Sequence, residues 1–169
     1  MYNYIIKNFM KSATVFSFII IFLVSPVFSE EANDITELVN EAEQYLLKGE
    51  YKKSITMYDQ VLEILPMDSK THEMKGIALS NIRLQSTLAS QETANTPAKH
   101  DILDTNKLSM LEFYKALQIN PNSVISLNGL GLGFGNYGEY DEAKKYFVRV
   151  LEIESDNFVA KNYLKYLEK

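Results

Sequence analysis

Tyr58-Asp-Gln-Val-Leu-Glu-Ile-Leu-Pro66, Phe113-Tyr-Lys-Ala-Leu-Gln-Ile-Asn-Pro121 and Phe147-Val-Arg-Val-Leu-Glu-Ile-Glu-Ser155 are three versions of one phrase. In each, an aromatic residue is followed three places on by a small or branched apolar one, and then by Leu-x-Ile. Pro121 and Ser155 are 34 residues apart, whereas Pro66 and Pro121 are 55 apart, one 34-residue period plus 21. A fixed period in the range of about 20–50 residues is the signature of a stacked repeat array. One copy carries an insertion.

Outward from these anchors, each unit reads as two amphipathic helices, A and B. The third unit has Leu127-x-x-Leu130-Gly131-x-x-Phe134, a Gly138-Glu-Tyr140 turn, and Ala143-x-x-x-Phe147-x-x-Val150. The first has Leu38, Ala42 and Tyr45, then Gly49-Glu-Tyr51, then Ser54-x-x-x-Tyr58-x-x-Val61. The second has His72-x-x-Lys75-Gly76-x-x-Leu79 and, past the insertion, Ser109-x-x-x-Phe113-x-x-Ala116. Apolar residues three and four apart put one buried stripe on each helix. Small residues in helix A (Ala42, Gly76, Gly131) and in helix B (Ser54, Ser109, Ala143) let neighbouring helices approach closely. The aromatic residues fill the space beside them. Gly49 and Gly138 suit left-handed helix ends, and Pro66 and Pro121 stop helix B where the chain turns into the next unit.

This pattern resembles the tetratricopeptide repeat family over about Ile35 to Lys169, most closely in the third unit. The first unit departs from the family pattern with Glu41-Ala42 in place of Leu-Gly. The second places His72 and Lys75 at positions usually apolar or aromatic, and the third ends in Ser155 instead of proline. The resemblance implies an all-α solenoid of antiparallel helix pairs, a right-handed superhelix whose A helices line a concave surface. The expected organisation is repeat 1 at 35–68, repeat 2 at 69–123 with its insertion at about 84–103, repeat 3 at 124–157, and a capping helix at 158–169. In that last helix Val159, Tyr163, Leu164, Tyr166 and Leu167 are the expected contacts, and Lys161, Lys165, Glu168 and Lys169 the polar outer face that a terminal repeat needs. Met74, Ile77, Ala78, Ile82 and Leu88 extend helix A beyond its usual end. The polar stretch Gln91 to His100 reads as a mobile loop, with folding over one end of the groove as the functional alternative.

Residues 1–29 are of a different kind. Lys7 and Lys11 precede an uncharged run from Ser12 to Ser29 with an apolar centre at Ala13 to Val24, a break at Pro26 and a small-residue exit at Val27-Phe28-Ser29. Those are the parts of a secretory signal peptide, and the apolar run is shorter than the roughly 20 residues of a membrane-spanning helix. The expected location is therefore outside the cytoplasm: secreted, periplasmic or at the cell surface. The alternative is an uncleaved N-terminal anchor, the one route to a membrane that the sequence offers. Removing this leader changes the formal net charge from −5 for the 169 residues to about −7.

Composition excludes several classes of function. The chain has no cysteine, hence no disulfide, thiolate nucleophile or cysteine-bound metal. An acidic balance is the wrong sign for a general nucleic-acid binder. Gly133-Phe-Gly135-Asn-Tyr-Gly138 matches G-x-G-x-x-G, but that motif cradles a pyrophosphate only between a strand and a crossover helix, and here it lies in and just after helix A. His72 and His100 are the only histidines. His72 is expected to pack in the core or against a neighbouring unit, and His100-Asp101 lacks a third ligand or an activated serine. Neither a catalytic residue nor a metal or cofactor site is expected.

Binding is the better-supported class. In the resemblance, the inner face of helix A meets a peptide. The corresponding positions are Val39, Asn40, Glu43 and Leu46; Glu73, Ile77, Ser80 and Asn81; and Asn128, Leu132, Gly135 and Asn136. Asparagine amides can bond a peptide backbone as donor and acceptor. The family's carboxylate clamp uses lysine, arginine and asparagine at positions held here by Val39, Glu43, Met74, Ile125 and Gly129, none of which match. The expected function is thus a non-catalytic protein- or peptide-binding scaffold. The alternative is a self-associating structural component that makes contact through the tyrosine-rich C-terminal helix.

Overall fold

The computed structural model describes residues 34–92 and 99–167. Leu38–Lys169 form one compact unit, and Met1–Glu37 group separately. Among the described residues there are seven helices and no strand: α1 (34–47), α2 (Tyr51–Ile64), α3 (Ser69–Glu92), α4 (Lys99–Ile119), α5 (Val124–Tyr137), α6 (Tyr140–Ile153) and α7 (Phe158–Leu167). From α2 onward each helix packs on the next, and α3 also touches α5, so successive A helices lie side by side. This is an all-α solenoid of helix pairs. The leader at 1–29 lies outside the described residues. No described helix is long and apolar enough to cross a membrane.

Each A helix from the second onward begins with the same device. Asp68 Oδ2 accepts from the Thr71 N–H at 2.8 Å, Ser123 Oγ from the Ser126 N–H at 3.1 Å, and Asn157 Oδ1 from the Ala160 N–H at 3.1 Å. The side chain thus meets a backbone donor that the first helical turn leaves unpaired. The turns leading into these caps are also alike: the N–H groups of Leu65, Asn120 and Glu154 donate to the carbonyls of Val61, Ala116 and Val150. The third turn closes in this way with Ser155 where the others have proline. Within the first and third pairs, Gly49 (φ 75°) and Gly138 (φ 79°) end the A helix in the left-handed region, and the following N–H groups of Glu50 and Glu139 reach back to the carbonyls of Tyr45 and Phe134.

The predicted small-against-large packing forms the core. Ala42, Ser54, Tyr58, Val61, Phe113, Ala116, Ala143, Phe147, Val150 and Ala160 are buried. A Cβ on Gly76 would stand 2.8 Å from Phe113 Cε1, and one on Gly131 would stand 2.7 Å from Phe147 Cζ. In both pairs the missing side chain of helix A is the socket for the aromatic ring of helix B. Gly129 makes the same kind of socket from the third repeat for Phe113 of the second.

The inserted residues lengthen both helices of the second pair. The α3 helix has 24 residues and α4 has 21, against 14 in each of α2, α5 and α6. At about 1.5 Å per residue they overhang their neighbours by roughly 10–15 Å. The loop expected over Gln91 to His100 is therefore shorter than its composition suggested, because Gln91 and Glu92 end α3 and Lys99 and His100 begin α4. Residues 93–98 lie outside the described ones. The reason is that intrinsic polarity does not oppose helix where good helix formers continue an already nucleated one.

The C-terminal helix differs in phase from the expectation. Ala160, Tyr163 and Leu164 pack on the cluster formed by Leu127, Phe147 and Val150, and the Tyr163 ring stacks on Phe147 at 4.6 Å between centroids. Val159 and Tyr166, seven residues apart and so on one face together, point away, and Phe158 is 78% exposed. The cap therefore presents aromatic side chains as well as lysines to solvent.

Candidate functional site

The stripe Ile77, Ser80, Asn81 runs along one face of α3, and Ile125, Asn128, Leu132, Asn136 along one face of α5. Because the two helices lie side by side, these stripes face each other across a cavity of about 270 Å³. Its floor is α4, through Phe113 and Asn106, and Gly129 and Gly133 of α5 let that floor approach closely. Six of the twelve residues at the predicted inner-face positions thus come together here: Ile77, Ser80, Asn81, Asn128, Leu132 and Asn136.

The polar groups of the groove are tied into the helices beneath. Ser109 Oγ donates to the Gly76 carbonyl at 2.9 Å and lies 2.6 Å from Ser80 Oγ. Asn106 Nδ2 donates to the Gly133 carbonyl at 3.1 Å, and Asn106 Oδ1 accepts from Asn136 Nδ2 at 3.3 Å. Asn128 Oδ1 is buried and has no hydrogen-bond partner. Asn106 was not predicted. It follows the insertion, where the repeat pattern gives no template, yet it lies three residues before Ser109 and seven before Phe113, on the buried stripe of α4. A polar residue in an apolar stripe was the available signal.

The remaining predicted residues sit elsewhere. Val39 and Glu43 are half-buried and Asn40 exposed on α1. Glu73 is buried, and its Oε1 accepts from Ser123 Oγ at 2.5 Å and Ser69 Oγ at 3.4 Å. Because Ser123 also caps α5, this carboxylate ties the second repeat to the start of the third and is not presented to the groove.

A second polar centre lies between α3 and α4. His72 Nδ1 is 2.6 Å from Glu112 Oε2, His72 Nε2 is 3.1 Å from the Pro66 carbonyl, and Lys75 and Lys115 donate to Glu112 Oε1 at 3.2 and 3.1 Å. Lys75 also reaches Asp59 at 2.7 Å. Burial pushes the Glu112 carboxyl up. The hydrogen bonds from His72, Lys115 and Lys75, with the charge of Lys75, outweigh burial and hold it below its ordinary value. His72 is thus packed between neighbouring helices as expected, with a carboxylate partner that spacing alone did not reveal. His100 and Asp101 fall in the first turn of α4, where side chains are not described. No group of three His, Asp or Glu able to hold a metal ion occurs among the described residues.

A larger cavity of about 680 Å³ opens beside the overhang of α4, lined by Leu108, Met110, Leu111, Tyr114, Phe134 and Tyr137 and rimmed by Lys107 and Glu139. It is apolar and brings no set of polar groups to a common point. We weigh the smaller groove above it, because convergent polar groups, not volume, fix the orientation of a bound segment.

The family comparison agrees with this geometry. Residues 126–157, spanning α5 and α6, match the family model of the tetratricopeptide repeat. That stretch is similar to a tetratricopeptide repeat. No curated protein sequence matches the chain. Among solved structures, the first TPR of Spaghetti (RPAP3), bound to the HSP90 peptide SRMEEVD, is 20% identical. It covers 79% of this chain and 90% of that one, with a TM-score of 0.63. The TPR domain of Arabidopsis OM64 is 14% identical, covering 80% and 94% with a TM-score of 0.65. The Sgt2 TPR domain from Aspergillus fumigatus is 18% identical, covering 80% and 77% at 0.62. At these identities the likeness establishes a shared tetratricopeptide-type fold.

Proposed function

We propose that this chain is a non-catalytic scaffold that binds a protein or peptide segment through the A-helix face of its repeats, outside the cytoplasm. The observation that carries the reading is the convergence of Asn81, Asn128 and Asn136 with Ile77 and Leu132 on one groove, in which Asn128 Oδ1 is buried without a partner. The Spaghetti structure supports the reading, since a similarly folded domain is named there with a bound peptide. The exported location is supported by the Lys7, Lys11 and Ala13–Val24 leader.

The test is site-directed. A photo-crosslinking residue at Leu132 should capture a partner that the same residue at Lys144 on α6 does not, and Asn128→Ala with Asn136→Ala should abolish the capture. Equal capture from both positions would remove the groove from the proposal.

A second reading, self-association through α7, is favoured by Phe158 and Tyr166, which are 78% and 67% exposed. Sedimentation equilibrium decides it. A monomer at every accessible concentration, unchanged by Phe158→Ser with Tyr166→Ser, excludes it.

A further inference from the structure

We infer that two copies of this chain pair through the outer face of α4, where a two-fold axis sets Lys107 of each copy against Glu139 of the other around a shared apolar centre. This goes beyond the peptide-binding reading and uses a different face: the cavity beside the α4 overhang shares no lining residue with the groove. The repeat itself supplies the comparison that singles this face out. Counted from Ser109, Ser54 and Ala143, the positions of Leu108, Leu111 and Tyr114 in α4 are held by Lys53, Thr56 and Asp59 in α2 and by Glu142, Lys145 and Val148 in α6. Five of those six counterparts are polar, as a solvated outer face requires. At the same positions α4 turns outward two leucines, 51% and 48% exposed, and a tyrosine.

The walls of this face are held in place by the fold. Tyr114 Oη lies 3.0 Å from Tyr146 Oη, the two rings meet edge-on at 6.5 Å, and the Tyr146 ring stacks on Phe134 at 5.5 Å. Tyr114 and Phe134 then bound the cavity of about 680 Å³ together with Leu108, Met110 and Leu111. Side chains already ordered lose little freedom on docking, and a contiguous exposed apolar patch marks an interaction surface.

Charge identifies the occupant. Lys107 stands on the α4 wall and Glu139 on the turn between α5 and α6, both exposed, and neither is in an ion pair among the described residues. A partner that complements this face carries an anion opposite Lys107, a cation opposite Glu139 and apolar side chains between them. The face itself has that composition, and in an isologous pair residue i meets j while j meets i. A half-turn about an axis between the two walls exchanges them, so one contact made twice satisfies both charges and covers Leu108 and Leu111 of each copy. A neutral apolar ligand would fill the cavity but meet neither charge, and a partner of single sign would meet only one.

The experiment is sedimentation equilibrium of the full chain, with circular dichroism to show that each variant melts as the wild type does. Lys107→Glu alone and Glu139→Lys alone should each weaken dimerisation about tenfold or more, because each turns both pairs of the dimer into like charges. The Glu139 side chain makes no cap bond to α6, so its replacement leaves that helix start intact. Mixing the two variants should restore the wild-type affinity as a heterodimer, since the two reversed charges then face each other and the two native ones do likewise. A monomeric wild type, a dimer indifferent to both reversals, or a mixture that fails to dimerise overturns the inference. A dimer lost with Phe158→Ser and Tyr166→Ser but kept by both reversals also overturns it, and assigns self-association to α7. Partner capture at Leu132 is read separately, so the loss of this dimer leaves the peptide reading standing.

Discussion

His72 and Glu112 face each other at 2.6 Å, both buried, across the seam between α3 and α4. The other ring nitrogen of His72 meets a second acceptor, the Pro66 carbonyl at the turn that ends α2. One side chain thereby joins the first repeat's exit turn to both helices of the second. His72 and Lys75, which depart from the apolar pattern of their unit, are tied to a carboxylate 40 and 37 residues away.

Glu112→Ala should therefore cost more than a surface ion pair. Removing one member of a buried pair strands its partners without compensation, a loss of about 3–5 kcal/mol. Urea unfolding of the purified chain measures it. A loss below about 1 kcal/mol, the range of exposed pairs, would show that water reaches the cluster.

The same carboxyl sets an acid limit. Its folded-state value lies below the ordinary 4.5, so the unfolded chain binds the proton more readily. The stabilisation is fully present above that ordinary value and drains away as pH falls through the lower, folded one. Thermal melting between pH 7 and pH 3 should show a steeper fall for the wild type than for Glu112→Gln. Parallel curves would mean that the acid loss originates elsewhere.

Ser123→Ala should destabilise by about 2–3 kcal/mol. About 1 kcal/mol is the lost N-cap of α5, and the rest is the buried Glu73 carboxylate deprived of its 2.5 Å donor. Pairing it with Glu73→Leu tests the coupling. The double variant should be less unstable than the sum of the two singles, because no stranded carboxylate remains.

Gly131→Ala sets two effects against each other. Alanine gains about 1 kcal/mol in helix propensity, but its Cβ would lie 2.7 Å from Cζ of fully buried Phe147. Overpacking of a closed core costs about 1–3 kcal/mol, and the ring cannot swing aside because Tyr163 stacks on it. The net expectation is a destabilisation of about 1 kcal/mol by chemical denaturation, relieved when Phe147→Leu is added. A stabilised single variant would show that α6 can slide.

At Gly138 the cause is backbone conformation alone. Nothing lies within 4 Å of a Cβ there, yet φ is 79°. Gly138→Ala should cost about 1–2 kcal/mol, and Gly138→Asn less, because asparagine tolerates the left-handed region. Equal losses from the two would point to a contact with the added side chain.

The fold was largely legible in the sequence because its determinants are local and repeated. Helix phase, the small sites opposite aromatic rings and the glycine helix ends each depend on residues a few places apart, and three copies confirm one another. Asn106, His72–Glu112 and Glu73–Ser123 were not legible as sites. Each joins residues from 27 to 50 positions apart; the His72–Glu112 and Glu73–Ser123 pairs span the insertion, which no spacing rule does, and Asn106 lies just after it, where the repeat gives no template. Periodicity put the α3 and α5 residues on stripes that line one cavity, but it does not tell an exposed carboxylate from one turned into a seam, as with Glu73.

By itself, then, the sequence determined an all-helical repeat array, its pairing into A and B helices and the face on which asparagines collect. Tertiary structure decided which of those polar groups are spent inside the protein and which remain open. Hydrogen-bond direction is a property of partners brought together in space: only when Ser109 reaches the Gly76 carbonyl and Asn106 reaches the Gly133 carbonyl is it decided that these donors are spent inside the protein.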